Sequence, residues 1–206
     1  EIGSGLVGSE MCIRDRVYRD RTVDFFNQHI EAAVRLDCDH MVVSTGFAYL
    51  DVDAEDAFGW CAEAMGRIAR KAEQEGVTLA VEPFTKYTTH ICNEASQLRR
   101  LLRTVNSPRL TGLADTDVIA TTAVDTFSTF LDVIGPENLG HVHFVDGNPG
   151  GHLVPGDGVL DLDGALEKLK AIHYTGALGL EVLDRRYVFA PEAAMKQAMD
   201  WYKERI

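Results

Sequence analysis

The 206-residue sequence is short of basic charge, and this excludes a function class at once. Twenty Lys and Arg face 32 Asp and Glu, for a net charge of −12. A nucleic-acid binder needs basic surface to meet phosphates, so the balance argues against one. No apolar run reaches the length of a helical membrane span. No basic-then-apolar pattern of a secretory leader opens the sequence. No Cys-x-x-Cys pair occurs; Cys12, Cys38, Cys61 and Cys92 are scattered. Such cysteines read as reduced thiols, and a cytoplasmic location is expected. There is no low-complexity linker and no shift in composition, so one domain is expected.

What remains is ordinary for a globular protein, with 46% hydrophobic and 25% charged residues. Residues 1–16 have no clear period. Gly3-Ser-Gly-Leu-Val-Gly8 fits the letter of a dinucleotide-binding loop but has no strand before it, which that chemistry requires. This segment is expected to be a non-native leader, with the domain spanning 17–206. From Val17 the pattern is regular. Helical spacing runs over about 20–36, with Asp20 as the candidate cap, then over Asp53 to Glu75, stopped by Gly76. It returns over Glu94 to Val105, Thr121 to Ile134, Leu160 to Ile172 and Pro191 to Glu204. Short apolar runs at 40–46, 77–83, 110–115, 139–145 and 177–183 read as buried strands.

Strands alternating with helices imply right-handed crossovers and a parallel sheet, either doubly wound or a (β/α) barrel. No glycine-rich phosphate loop follows a strand, which weakens the doubly wound form.

Four consecutive strands end in a potential metal ligand: Glu82, Asp115, His143 and Glu181. Residues alternate sides along a strand. Glu82 therefore shares a face with Ala80, Asp115 with Leu113, and Glu181 with Gly179. Leu79, Val81, Val142 and Phe144 point the other way, toward the outer helices. In Leu139-Gly-His-Val-His-Phe-Val-Asp-Gly147, His141 shares the face of His143 but lies one layer deeper, as a neighbour beneath the ligand. Barrel enzymes place their chemistry at the C-terminal ends of strands. Three carboxylates and one imidazole suit Mn²⁺ first, with Mg²⁺, Co²⁺ or Zn²⁺ as alternatives.

From Val17 onward the chain resembles the xylose isomerase-like (sugar phosphate isomerase/epimerase) TIM-barrel superfamily. The resemblance rests on Leu-Ala-Val-Glu82-Pro, Gly-Leu-Ala-Asp115-Thr, Gly-His-Val-His143 and Leu-Gly-Leu-Glu181-Val. Tyr18-Arg-Asp20, Glu82-Pro-Phe-Thr85, Asn106-Ser-Pro-Arg-Leu110 and Val154-Pro-Gly-Asp-Gly158 add similarity to fructoselysine 3-epimerase-like members. In the ketose 3-epimerase branch Glu, Asp, His and Glu at the ends of strands five to eight hold one divalent metal. The resemblance puts those roles on Glu82, Asp115, His143 and Glu181. It implies that Glu82 and Glu181 also serve as the acid/base pair, and that the activity is epimerisation of a ketose or ketose derivative through an enediolate.

Better-known members carry a Glu, a His and an Arg where Thr88, Val118 and Pro149 stand here. These groups contact substrate hydroxyls, so a plain free ketohexose is not implied; His152 and Asp146 are the candidates to replace such contacts. The alternatives are an aldose–ketose isomerase of the hydroxypyruvate isomerase type, a keto-inositol dehydratase and a non-catalytic sugar-binding barrel. A DNA-repair role by analogy with endonuclease IV is opposed by the charge. The expected partner is a small sugar, and family members often form homo-oligomers. A complete barrel of this kind runs to ~250 residues. The sequence is therefore expected to hold strands four to eight of a partial (β/α)8 barrel, poorly stable and inactive alone.

Overall fold

A computed structural model describes residues 15–48 and 51–205. Residues 1–14, including Gly3–Gly8 and Cys12, lie outside the described residues. Of the segment expected to be a leader, Asp15 and Arg16 are described: Asp15 caps the first helix and Arg16 opens it. Helix α1 spans Arg16–Arg35, beginning earlier than Asp20 because the Asp15 carboxylate accepts the Val17 N–H at 2.8 Å. Asp20 instead pairs with Arg67, at 2.5 Å.

Strand β1 (His40–Ser44) leads to α2 (Ala54–Glu75). Asp53 caps the Glu55 and Asp56 N–H groups, and Gly76 ends the helix at φ +76°. Its buried face recurs at helical spacing, through Ala57, Cys61, Ala64, Met65, Ile68 and Ala72. Strand β2 (Thr78–Glu82), helix α3 (Ala95–Val105) and strand β3 (Leu110–Asp115) follow.

The helix expected over 121–134 is two helices, α4 (Thr116–Thr122) and α5 (Phe127–Ile134). Two sets of local bonds cause the break. The Asp115 carboxylate caps the backbone directly after β3, so α4 starts at once, and it ends with Ala123 at φ +57°. Thr126 and Thr129 then form a reciprocal capping box that starts α5. Strand β4 (Leu139–His143), helix α6 (Leu162–Ala171), strand β5 (Leu178–Gly179) and helix α7 (Pro191–Lys203) complete the described strands and α-helices.

The five strands are parallel and lie in sequence order, β1-β2-β3-β4-β5. A doubly wound sheet reverses its order at a switch point; this one does not, so it is a partial (β/α) barrel. Strand β5 is shorter than the expected 177–183. Among the described residues it pairs only with β4, and beyond Gly179 the chain bonds elsewhere: Leu183 N–H donates to His152 O at 3.1 Å.

The two faces of the sheet divide as the alternation requires. Leu79, Val81, Ala114, Val142 and Phe144 join one apolar core with Ile30, Ile68, Leu98, Leu101, Phe130 and Leu169 from the helices. Burying each of these side chains other than that of Ala114 contributes about 1.5–3 kcal/mol. The opposite face carries the chemistry. Asp115 lies opposite His143 and His143 opposite Gly179, so the ends of β3, β4 and β5 stand level, with Glu82 at the end of the adjoining β2.

Candidate metal centre

Glu82 is the last residue of β2 and is buried. Asp115 ends β3 and has two jobs. Its Oδ1 accepts the Asp117 and Val118 N–H groups, both at 2.8 Å, which fixes the carboxylate. Its Oδ2 is buried and has no hydrogen-bond partner. A buried acceptor left in that state is costly and calls for an occupant.

His143 ends β4. Its Nδ1 lies 3.0 Å from Glu82 Oε1, 3.2 Å from Glu181 Oε2 and 3.5 Å from Asp115 Oδ2. One ligand atom each from Glu82, Asp115, His143 and Glu181 falls within a mutual 4.8 Å. Glu181 lies just beyond β5 and is the open member, with its side chain 38% exposed. Gly179 leaves the room this packing needs: a Cβ there would meet His141 Nε2 at 2.9 Å and His143 Cδ2 at 3.2 Å. His141 sits against His143 edge-to-face, with ring centroids 5.3 Å apart.

The electrostatics follow from this crowding. Burial alone would lower the His143 imidazole, but the carboxylates of Asp115, Glu181 and Glu82 outweigh it and push it up to about 12. Burial works the other way on Asp115, and the His143 and His152 imidazoles overcome it, holding the acid down to about 2. For Glu82 burial wins over the pull of His143, and the pKa is raised. Three carboxylates around one imidazole nitrogen, with one buried oxygen unsatisfied, fit a divalent cation: hard oxygen donors with a single nitrogen suit Mn²⁺ or Mg²⁺.

Of the two residues expected to contact substrate, one reaches this cluster. His152 Nε2 lies 3.4 Å from Asp115 Oδ2 and 3.6 Å from Glu181 Oε2. Asp146 does not reach it. Its buried carboxylate accepts N–H groups from Gly147, Gly156, Gly158 and Leu160 at 2.8–3.0 Å, so it organises its own loop. The structure adds two residues that sequence reading missed, Thr116 and Asp117. Thr116 Oγ1 donates to Val145 O at 2.6 Å and accepts Val145 N–H at 2.9 Å, which holds the end of β4 against α4. Asp117 is 1% exposed and binds the loop that carries His152. The available signal was the run Asp115-Thr-Asp117, two acids with a hydroxyl between them at a strand end.

The family model described as Xylose isomerase-like TIM barrel matches residues 3–205. Fructoselysine 3-epimerase of Shigella flexneri is 26% identical over 195 residues, covering 94% of this chain and 70% of that protein. The structure of D-psicose 3-epimerase with D-tagatose from Clostridium cellulolyticum H10 superposes with a TM-score of 0.82 at 18% identity, covering 93% of this chain and 73% of that one. The IOLI protein with a binding zinc atom gives a TM-score of 0.78 at 19% identity, covering 91% and 69%.

Proposed function

Because the chain belongs to the xylose isomerase-like TIM barrel family, we propose that it is a metal-dependent carbohydrate 3-epimerase. Its substrate class is a ketose or ketose derivative of the fructoselysine kind, in keeping with the named relative. The observation that carries this reading is the convergence of Glu82, Asp115, His143 and Glu181 around the unsatisfied Asp115 Oδ2. Mn²⁺ is the first choice of ion. When bound, it would supply Lewis-acid stabilisation of the negative charge that builds on the substrate oxygens in an enediolate.

The residues do the rest. Asp115 is locked by its two backbone bonds and is a ligand only, as is His143. Glu82 and Glu181 enter from β2 and from beyond β5, the two ends of the ligand-bearing set. One removes the proton from the carbon next to the ketone, and the other returns a proton to the opposite face. Inversion needs two such groups, one for each face of the planar intermediate. Burial raises the basicity of Glu82, which suits proton abstraction near neutral pH. Free Cys38, Cys61 and Cys92 fit a reduced, cytoplasmic setting.

The test is incubation of this chain, carried in a complete eight-stranded barrel, with D-tagatose or fructoselysine, with and without Mn²⁺. Formation of the C3 epimer that stops on chelation and returns with Mn²⁺ is expected. Metal-loaded protein that leaves both sugars unchanged would overturn the reading.

A further inference from the structure

The loop between β4 and α6 is held to the start of α4 by one buried carboxylate. Asp117 Oδ1 accepts the Gly150 N–H at 2.5 Å, and Oδ2 accepts the His152 N–H at 3.0 Å. The same Oδ2 lies 3.0 Å from His152 Nδ1. Asp117 thus fixes both the backbone and the ring of His152. The backbone is one that needs fixing: Gly150 and Gly151 have φ of +96° and +107°, and His152 itself stands at +48°. A non-glycine residue in the left-handed region is held there only when its surroundings over-determine it.

This arrangement settles where the other ring nitrogen goes. With Nδ1 engaged by Asp117, Nε2 faces Asp115 Oδ2 at 3.4 Å and Glu181 Oε2 at 3.6 Å. It is outside the group of four mutually close donors. Its position is that of a group beside the metal cluster rather than in it, with its bonding capacity turned toward the half-exposed side of Glu181. A small hydroxylated molecule seated against the four donors would meet Nε2 next.

We propose that Asp117 is a positioning residue that holds His152 so that Nε2 makes a hydrogen bond to a hydroxyl of the bound ketose. The inference rests on the epimerase reading and deepens it. A carboxylate behind an imidazole fixes which ring nitrogen faces the ligand and how the ring is turned, so the two residues act as one device.

The experiment uses this chain carried in the same eight-stranded barrel and loaded with Mg²⁺, fructoselysine as the probe, and the variants D117N, H152Q and the double variant. Ketose binding is expected to weaken about tenfold in each single variant. Because both remove the same contact, the double variant is expected to show that same loss, not its square. KM is expected to rise more than kcat falls, and Mg²⁺ affinity is expected to stay within ~3-fold of wild type. Wild-type ketose binding in either single variant, or losses that multiply to about 100-fold in the double variant, would overturn the proposal. So would a matching loss of Mg²⁺ affinity, which would make His152 a ligand or Asp117 a general support of the cluster. Failure of the wild-type protein to bind ketose would instead count against the epimerase reading itself.

Discussion

His143 Nδ1 lies 3.0 Å from Glu82 Oε1, although 61 residues separate them and strand β3 runs between their strands. Parallel register brings this about. Glu82, Asp115 and His143 each end a strand on the same face, so the sheet delivers three side chains to one place. Glu181 closes the group from the edge.

Removing a ligand should act on metal binding before it acts on the fold. Asp115→Asn keeps an oxygen to cap α4 but loses the charge at the orphaned position. We expect the affinity for Mn²⁺ to fall at least ~100-fold, and the metal-free protein to keep a cooperative transition that melts somewhat lower, because His143 and His152 lose a partner charge. Calorimetric titration with Mn²⁺ checks the first, and a melt in chelator checks the second.

Metal binding should strengthen as pH rises. The metal-free site holds the His143 proton up to about 12, so a cation must displace that proton at neutral pH. With one proton released per ion, affinity should increase about tenfold per pH unit between about pH 6 and about pH 8. Titrations in two buffers of different ionisation enthalpy would count the proton.

The same shift predicts an alkaline loss of stability in the metal-free protein. A histidine raised from 6.5 to about 12 contributes stability that is fully present below about pH 6.5. That contribution is lost as pH rises through the raised value. Midpoints of urea unfolding in chelator should therefore fall between about pH 7 and about pH 10.

Gly179→Ala tests the packing beneath the cluster. The new Cβ would meet His141 Nε2 at 2.9 Å and His143 Cδ2 at 3.2 Å, so one of the imidazoles must move. Displacement of a ligand ring by a few tenths of an ångström should weaken metal binding about tenfold while far-ultraviolet dichroism is retained.

Asp146→Ala separates a loop organiser from a substrate contact. Four backbone N–H groups lose their acceptor, so a loss of roughly 2–4 kcal/mol in unfolding free energy is expected without any sugar present. A substrate contact alone would leave the metal-free protein's stability unchanged.

Much of this was legible in the sequence for a physical reason. The strands and most helices declare themselves through apolar periodicity, and Glu82, Asp115 and His143 through the parity of their strands. What failed to show were interactions closed by backbone groups. Asp15 rather than Asp20 caps α1, and the Asp115 and Thr126 caps split one expected helix into two. Asp146 and His152 looked alike as polar residues of one loop. Only their partners distinguish them, since Asp146 meets four N–H groups of its own loop while His152 is turned toward Asp115 and Glu181. Asp117 was invisible because its partners, Gly150 and His152, lie more than 30 residues away.

The most direct test of the central claim is solvent exchange at the substrate carbon next to the ketone. With this chain carried in a complete, Mn²⁺-loaded eight-stranded barrel and fructoselysine in deuterium oxide, wild type should incorporate deuterium at that carbon. Glu82→Gln and Glu181→Gln should each lower the rate by at least ~100-fold, because each removes one of the two proton-transfer groups. Exchange retained at the wild-type rate in both variants would contradict the account.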